Sequence, residues 1–107
     1  MPNTKLVVVY PQPTNVEEFE KAYANDHTPL AHKVKGMTKF VATRIVGTAD
    51  GSTPPFFRIA ELHFPSLEAL QEAVADPSGQ EAAAHAMAIS SGGTPLIMVA
   101  DEESITF

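Results

Sequence analysis

The chain has 107 residues, which suits one domain (residues 1–107), and 44% of them are hydrophobic, enough for a buried core. Its net charge of -6 disfavours nucleic acid, and the absence of cysteine excludes disulfides, thiolate metal sites and cysteine nucleophiles. Its apolar runs fall far below the roughly 20 residues that span a bilayer, and no basic amphipathic face suggests a membrane partner. Since the beginning of the chain lacks the long apolar segment of a signal peptide, we expect a cytoplasmic protein.

The first two predicted elements are a strand and a helix. Residues 5–11, KLVVVYP, are β-branched and closed by a proline, which indicates a short strand buried on both faces. Thr14 and Glu17 have the spacing of a capping box. Apolar residues then recur at helical spacing, so the pattern predicts a helix over about residues 15–25.

A proline and two β-branched segments shape the middle of the chain. Pro29 disfavours a helical Thr28, so we expect the first helix to break there, followed by a short helical turn that Gly36 ends. Residues 38–47 and 55–65 predict the second and third strands, separated by a loop with an Asp-Gly turn.

The last third of the chain predicts two helical segments and a strand. Ser66 can cap a helix through SLEALQEAV. Ser78 and Glu81 form a second possible capping box, for a helix over about residues 80–89. Residues 94–100, TPLIMVA, predict the final strand.

The resulting order, βαββαβ, is that of the ferredoxin-like α+β fold, with both helical regions on one face of a four-stranded antiparallel sheet. The strands are nevertheless apolar on both faces: Val7 and Val9 point one way in the first strand, and Leu6, Val8 and Tyr10 the other. Two helices cover one face, and no spare segment remains for the second. We therefore expect a homodimer in which two sheets pack face to face as an α+β barrel.

Polar residues on that second face need partners, because burying them unpaired costs free energy. Glu61 and His63 share one face of the third strand, and Arg44 on the second strand is expected near one of its faces. One interpretation is a polar floor for a small-molecule pocket. The alternative is that Glu61 pairs with an arginine or lies near a wet rim.

The stretch around His27 suggests acid–base chemistry. Tyr23 and His27 lie four residues apart, on one helical stripe with Phe19. At a helix end, free carbonyls would favour the imidazolium and raise the pKa of His27. Beside a cavity and a tyrosine hydroxyl, such a histidine can act as general acid or base, or hold a ligand oxygen. The alternative is a histidine that merely caps the last carbonyls.

The other histidines suggest less. His32 is expected at the surface, and His85, in an alanine-rich segment, is expected to be structural. The histidine spacings are not typical of a metal site, and there is no glycine-rich phosphate loop, so we expect neither metal nor cofactor.

Three stretches of this chain resemble the EthD family of the dimeric α+β barrel superfamily: the Tyr10-Pro11 strand end, FEKAYANDHTPLAHKVKGM, and IAELHFPSLEALQEAVADPSGQEAAAH. The resemblance covers nearly the whole chain. It implies ferredoxin-like protomers that pair into a barrel. The family is named for a protein associated with ethyl tert-butyl ether degradation, where its role looks accessory to a cytochrome P450 system. The superfamily includes cofactor-free monooxygenases, lactone isomerases and haem-handling enzymes.

The resemblance also suggests residue roles. The histidine and tyrosine of the family motif map to His27 and Tyr23, which implies that these two are catalytic. Where many relatives carry an aspartate and a later phenylalanine, this chain has His85 and Ile89, which would place a second imidazole near the cavity. Five further residues are candidates for substrate contact: Tyr10, Arg44, Glu61, His63 and His85.

Two functions remain open from the sequence. One is a cofactor-independent oxidoreductase, monooxygenase-like, or an isomerase, acting on a small hydrophobic substrate of aromatic or lactone type inside the barrel. The other is a ligand-binding or accessory protein of a degradation pathway without chemistry of its own. A haem-binding protein is a weaker third alternative, because one histidine could be an axial ligand but nothing marks a haem pocket.

Overall fold

The computed structural model describes residues 3–107. It contains four strands, four α-helices and one π-helical turn. In chain order these are β1 Asn3–Pro11, α1 Val16–Ala22, the π-turn Tyr23–His27, α2 Thr28–His32, β2 Lys39–Arg44, β3 Phe56–Phe64, α3 Leu67–Ala75, α4 Pro77–Ile89 and β4 Leu96–Glu102. Within residues 3–107, no helix has the length and apolar character needed to cross a membrane.

The strands form one sheet in the order β2-β3-β1-β4, and every neighbouring pair is antiparallel. This arrangement confirms the predicted ferredoxin-like α+β fold. The helices pack on the face that carries Val8 and Tyr10 of β1 together with Ala60, Leu62 and Phe64 of β3. Tyr10, Phe64 and Leu70 are among the most deeply buried side chains. The core therefore lies between one face of the sheet and the helices.

The helix starts differ in part from the prediction. Ser66 caps α3 as expected, by accepting a hydrogen bond from the Ala69 N–H. The cap of α1 is Asn15, whose Oδ1 accepts from the Glu18 N–H at 3.1 Å, so the predicted Thr14 cap is wrong. The predicted capping box at Ser78 is also wrong. Asp76 caps α4 instead, because its Oδ2 accepts a hydrogen bond from the Ser78 N–H at 3.0 Å. Pro77, the next residue, has a fixed φ and no N–H, which suits the first helical position.

The predicted break before Pro29 is absent. Thr28 keeps helical dihedrals, with φ −56° and ψ −44°, and the chain passes from α1 to α2 through the π-turn. The backbone N–H of Thr28 bonds to the Tyr23 carbonyl five residues back, and the Thr28 hydroxyl donates to the same oxygen at 2.9 Å. The wider turn thus carries the helix across a proline that would strain a regular α-helix.

The second face of the sheet also carries apolar side chains, as predicted. It carries Val7 and Val9 of β1, which pair with Met98 and Leu96 of β4, and Ile59 of β3 lies beside Val9. Met98 is 46% exposed and Leu96 48% in the single chain. We call this surface the open face, because none of the helices packs on it.

Candidate functional site

A cavity of about 170 Å³ lies between the helix-covered face of the sheet and the helices. Among the described residues that line it, His27 alone has an ionisable side chain. The lining residues are Leu6, Val8, His27, Ala31, Val34, Ala60, Leu62, Phe64, Ala73, Val74, Gly79, Ala82, Ala83, Ala86 and Ile97. The cavity therefore lies within a single chain, and its wall is hydrocarbon with a single imidazole among the described residues.

Small residues keep the cavity open. Ala82, Ala83 and Ala86 line it from α4, where larger side chains would fill the space. Gly79 allows α4 to approach α3 closely, because a Cβ at this position would lie 1.9 Å from the Ala73 carbonyl oxygen. The alanine-rich sequence of α4 thus shapes the cavity as well as a helix.

The π-turn brings an aromatic series up to the cavity. The rings of Phe19 and Tyr23 have centroids 5.8 Å apart, and those of Tyr23 and His27 are 5.5 Å apart. This confirms the predicted stripe of three residues. His27 is 5% exposed, so the side chain lies inside the protein at the cavity wall.

Both ring nitrogens of His27 contact other side chains. Its Nε2 lies 3.3 Å from the Tyr10 hydroxyl, and its Nδ1 lies 3.1 Å from Nδ1 of His85. The tyrosine hydroxyl next to the imidazole is thus that of Tyr10. The Tyr23 hydroxyl is buried and has no hydrogen-bond partner within residues 3–107. Helical spacing pairs His27 with Tyr23 in the sequence, and only the fold shows that β1 passes behind the π-turn.

Burial, and to a smaller extent the nearby His85 imidazole, lower the pKa of His27 to about 4. The predicted rise in this pKa is wrong. The helix continues into α2, so His27 has no free carbonyls beside it, and loss of solvation disfavours the charged form. At neutral pH the imidazole is uncharged and has one nitrogen able to accept a proton.

The planes of the His27 and His85 rings are nearly parallel, with an angle of 9° between them. The ring centroids are 5.3 Å apart, whereas the two Nδ1 atoms are 3.1 Å apart. The difference is about the width of one ring, as expected when both nitrogens lie on the line between the centroids. The imidazoles therefore meet edge to edge along the line between the nitrogens. This is the geometry of an N–H···N hydrogen bond, and it leaves no room for a metal ion between the two nitrogens.

An arginine that sequence analysis missed supports Tyr23. Arg58 on β3 places its guanidinium 4.5 Å from the centre of the Tyr23 ring. Glu20 accepts two hydrogen bonds from the same Arg58 nitrogen, Nη2, at 2.7 and 2.8 Å. Burial raises the pKa of the Tyr23 hydroxyl, so it stays protonated. Strand alternation in the sequence gives the face on which Arg58 lies, but it does not show that Glu20 on α1 is the partner of Arg58.

Glu61 and His63 lie on the open face, away from the cavity. Lys5 donates to Glu61 and, at 3.2 Å, to Glu102. The predicted arginine partner of Glu61 is therefore wrong, and the partner is a lysine from β1. One ligand atom each from Glu61, His63 and Glu102 lies within 4.8 Å of the others, a spacing that could hold a metal ion. The Lys5 ammonium already pairs with both carboxylates.

Arg44 is also remote from the cavity. It ends β2 opposite Arg58 and is exposed. The predicted site residues thus fall into separate groups. His27, Tyr23, Tyr10 and His85 come together. Their roles in binding or catalysis remain predictions, as do those of Arg44, Glu61 and His63.

The fold is that of a recognised class of small α+β proteins. The EthD domain profile matches residues 11–89, a stretch that includes the π-turn, α3 and α4. The chain therefore belongs to the EthD family.

Individual proteins show the same relationship. An 11.0 kDa protein encoded in the thcB–thcC intergenic region of Rhodococcus erythropolis is 31% identical over 94% of this chain and 96% of its own length. The crystal structure of an EthD family protein from Bacillus halodurans superposes with a TM-score of 0.88, at 31% identity, over 94% of this chain and 99% of that one. SnoaB, a cofactor-independent oxygenase from Streptomyces nogalater, shares the fold at 12% identity with a TM-score of 0.63, over 100% of this chain and 97% of its own.

Proposed function

We propose that this protein is an enzyme that binds a small, mostly apolar molecule in the cavity and transfers a proton through His27. The observation that carries the proposal is a neutral imidazole as the one ionisable group among the described lining residues. An apolar wall favours hydrocarbon, and a lone nitrogen orients a single polar atom of the ligand.

The size of the cavity limits the ligand. A dry cavity of about 150 Å³ lined by apolar side chains takes up benzene. The cavity here, about 170 Å³, suits one small ring or a short branched ether. A ring ketone or unsaturated lactone would fit and would also present a carbonyl oxygen.

The chemistry that needs no cofactor is a proton shift. His27 removes a proton from a carbon next to the carbonyl, which gives an enolate, and then returns it to another carbon. The bonds made and broken balance without any oxidant. A fold neighbour that is a cofactor-independent oxygenase shows that the ferredoxin-like scaffold can also support chemistry without a cofactor.

We also propose that the working form is a homodimer paired through the open face. Leu96 and Met98 are about half exposed there, on the edge strand β4 beside Val7 and Val9 of β1. A second copy would remove these side chains from water. The cavity lies on the other side of the sheet, so pairing would leave its lining intact.

A second candidate is a binding or accessory protein without chemistry. It is favoured by the contacts of His27, since Tyr10 and His85 already engage both ring nitrogens. A ligand would then only fill the apolar space.

Both candidate functions require that the cavity binds a ligand, and one pair of substitutions tests this requirement. Ala83 is exposed at the cavity mouth, and its neighbour Ala84 is exposed but does not line the cavity. Binding of benzene and of ethyl tert-butyl ether is measured by NMR titration. We expect Ala83→Leu to abolish binding, whereas Ala84→Leu binds like the parent. Equal binding by both variants would contradict the proposal.

Turnover is tested with α-angelica lactone, whose double bond moves by a proton shift. We expect the parent protein to accelerate this isomerisation, and His27→Gln to lose about 10²-fold in rate while still binding benzene. If the parent binds the probes but leaves the lactone unchanged, the accessory role replaces the enzymatic one.

A further inference from the structure

The hydrogen bond between His27 and His85 joins a buried group to a partly exposed one. His27 is 5% exposed and lines the cavity, whereas His85 lies on α4 with part of its ring at the surface. Their Nδ1 atoms are 3.1 Å apart in nearly parallel rings. With both imidazoles neutral, one Nδ1 must donate and the other must accept, so the two rings hold opposite tautomers.

Tyr10 fixes the direction of this bond. Its hydroxyl is buried and lies 3.3 Å from His27 Nε2. Burial raises the pKa of the Tyr10 phenol, so the phenol keeps its proton. Among residues 3–107, His27 is the one side-chain partner of this hydroxyl, so the buried O–H is satisfied only by donating to Nε2. His27 then carries its own proton on Nδ1 and donates it to Nδ1 of His85. His85 in turn has its proton on Nε2, away from His27.

We propose that His27 and His85 form a proton relay between the cavity and solvent. The relay rests on the proposed function of the cavity. A substrate first replaces the Tyr10 hydroxyl at His27 Nε2 and gives its proton to that nitrogen. The Nδ1 proton of His27 then moves to Nδ1 of His85. The Nε2 proton of His85 then leaves to water. The reverse sequence returns one proton to the substrate and restores both tautomers.

The relay solves an electrostatic problem of the site. An imidazolium at the cavity wall would be poorly solvated, because its surroundings are hydrocarbon and aromatic rings. The ionisable groups around His27 are Tyr10, Tyr23 and His85, with the Arg58–Glu20 pair beyond Tyr23. Of these, His85 alone has a nitrogen that can accept the His27 Nδ1 proton. The positive charge thus moves to a ring that water can reach.

His85→Gln tests the relay directly. Its amide oxygen can still accept from the His27 Nδ1–H and orient the ring, but an amide does not pass the proton on. The matched control is His32→Gln, which changes an exposed histidine outside this pair. The first measurement is nitrogen NMR of the imidazoles without ligand. We expect opposite tautomers in the parent, and slower solvent exchange of the His27 ring proton in His85→Gln than in His32→Gln.

Turnover gives the second measurement. With α-angelica lactone, we expect His85→Gln to lose about 10²-fold in rate while benzene binding is unchanged. Parent-like turnover or exchange in His85→Gln would overturn the relay, and so would Nε2–H tautomers on both rings. If the NMR results agree but the parent does not isomerise the lactone, the proposed enzymatic function fails while the proton path between the two rings stands.

Discussion

The burial of His27 makes a quantitative prediction about acid stability. In the folded chain its pKa is about 4, compared with the ordinary value of 6.5. Above pH 6.5 the imidazole is neutral in both folded and unfolded chains, so it has no effect on how stability varies with pH. As pH falls below 6.5, the unfolded chain binds a proton that the folded chain does not. Stability is therefore lost between pH 6.5 and 4, and the loss levels off below pH 4.

The size of the loss follows from the shift. Each pH unit within the window costs about 1.4 kcal/mol, so the whole shift amounts to about 3 kcal/mol. His27 is 5% exposed, so solvent screening reduces this figure little. A loss of this size is a large fraction of the 5–15 kcal/mol that is typical of a domain.

The assay is urea unfolding of the parent and His27→Gln at several pH values from 7.5 to 4.5, at one fixed protein concentration. A neutral glutamine keeps hydrogen-bonding groups but does not titrate. We expect the variant to be less stable at pH 7.5, and the difference from the parent to narrow as pH falls. Carboxylates titrate in both proteins, so their contribution cancels in the comparison. A difference that stays constant across the window would refute the argument that burial keeps His27 neutral.

Two further predictions concern assembly and helix capping. Met98→Lys places a charge on the open face, so we expect this variant to sediment as a monomer in analytical ultracentrifugation. Val46→Lys, at a position already 87% exposed, should leave the homodimer intact. A parent that sediments as a monomer at micromolar concentration would contradict the homodimer. Asn15→Ala should destabilise the protein by about 1 kcal/mol in urea unfolding, because Asn15 caps α1, whereas Thr14→Ala should have little effect. Equal losses in these two variants would show that the cap is shared.

Much of the fold could be predicted because its signals are local. β-Branched runs ended by prolines marked the strands, and Ser66 before an apolar helical pattern marked the start of α3. The spacing of Phe19, Tyr23 and His27 placed their rings in contact. Where two local signals competed, the sequence misled: Thr14 and Asn15 are both good caps, and Asn15 is the one that bonds to the helix.

The site depended on contacts between distant parts of the chain. His27 meets Tyr10 from β1 and His85 from α4, and these residues lie 17 and 58 positions away in sequence. Lys5, Glu61 and Glu102 likewise meet only because β1, β3 and β4 are neighbours in the sheet. Strand register therefore decided which polar residues share a face.

The sequence by itself determined the order of the elements and the sheet's two apolar faces, because side-chain periodicity and turn residues act over a few positions. Only the tertiary structure decided that the cavity lies beneath the helices, and that His27 is neutral there. The pKa of a buried group depends on the solvent that the whole assembled fold removes from it, and no short stretch of sequence contains that information.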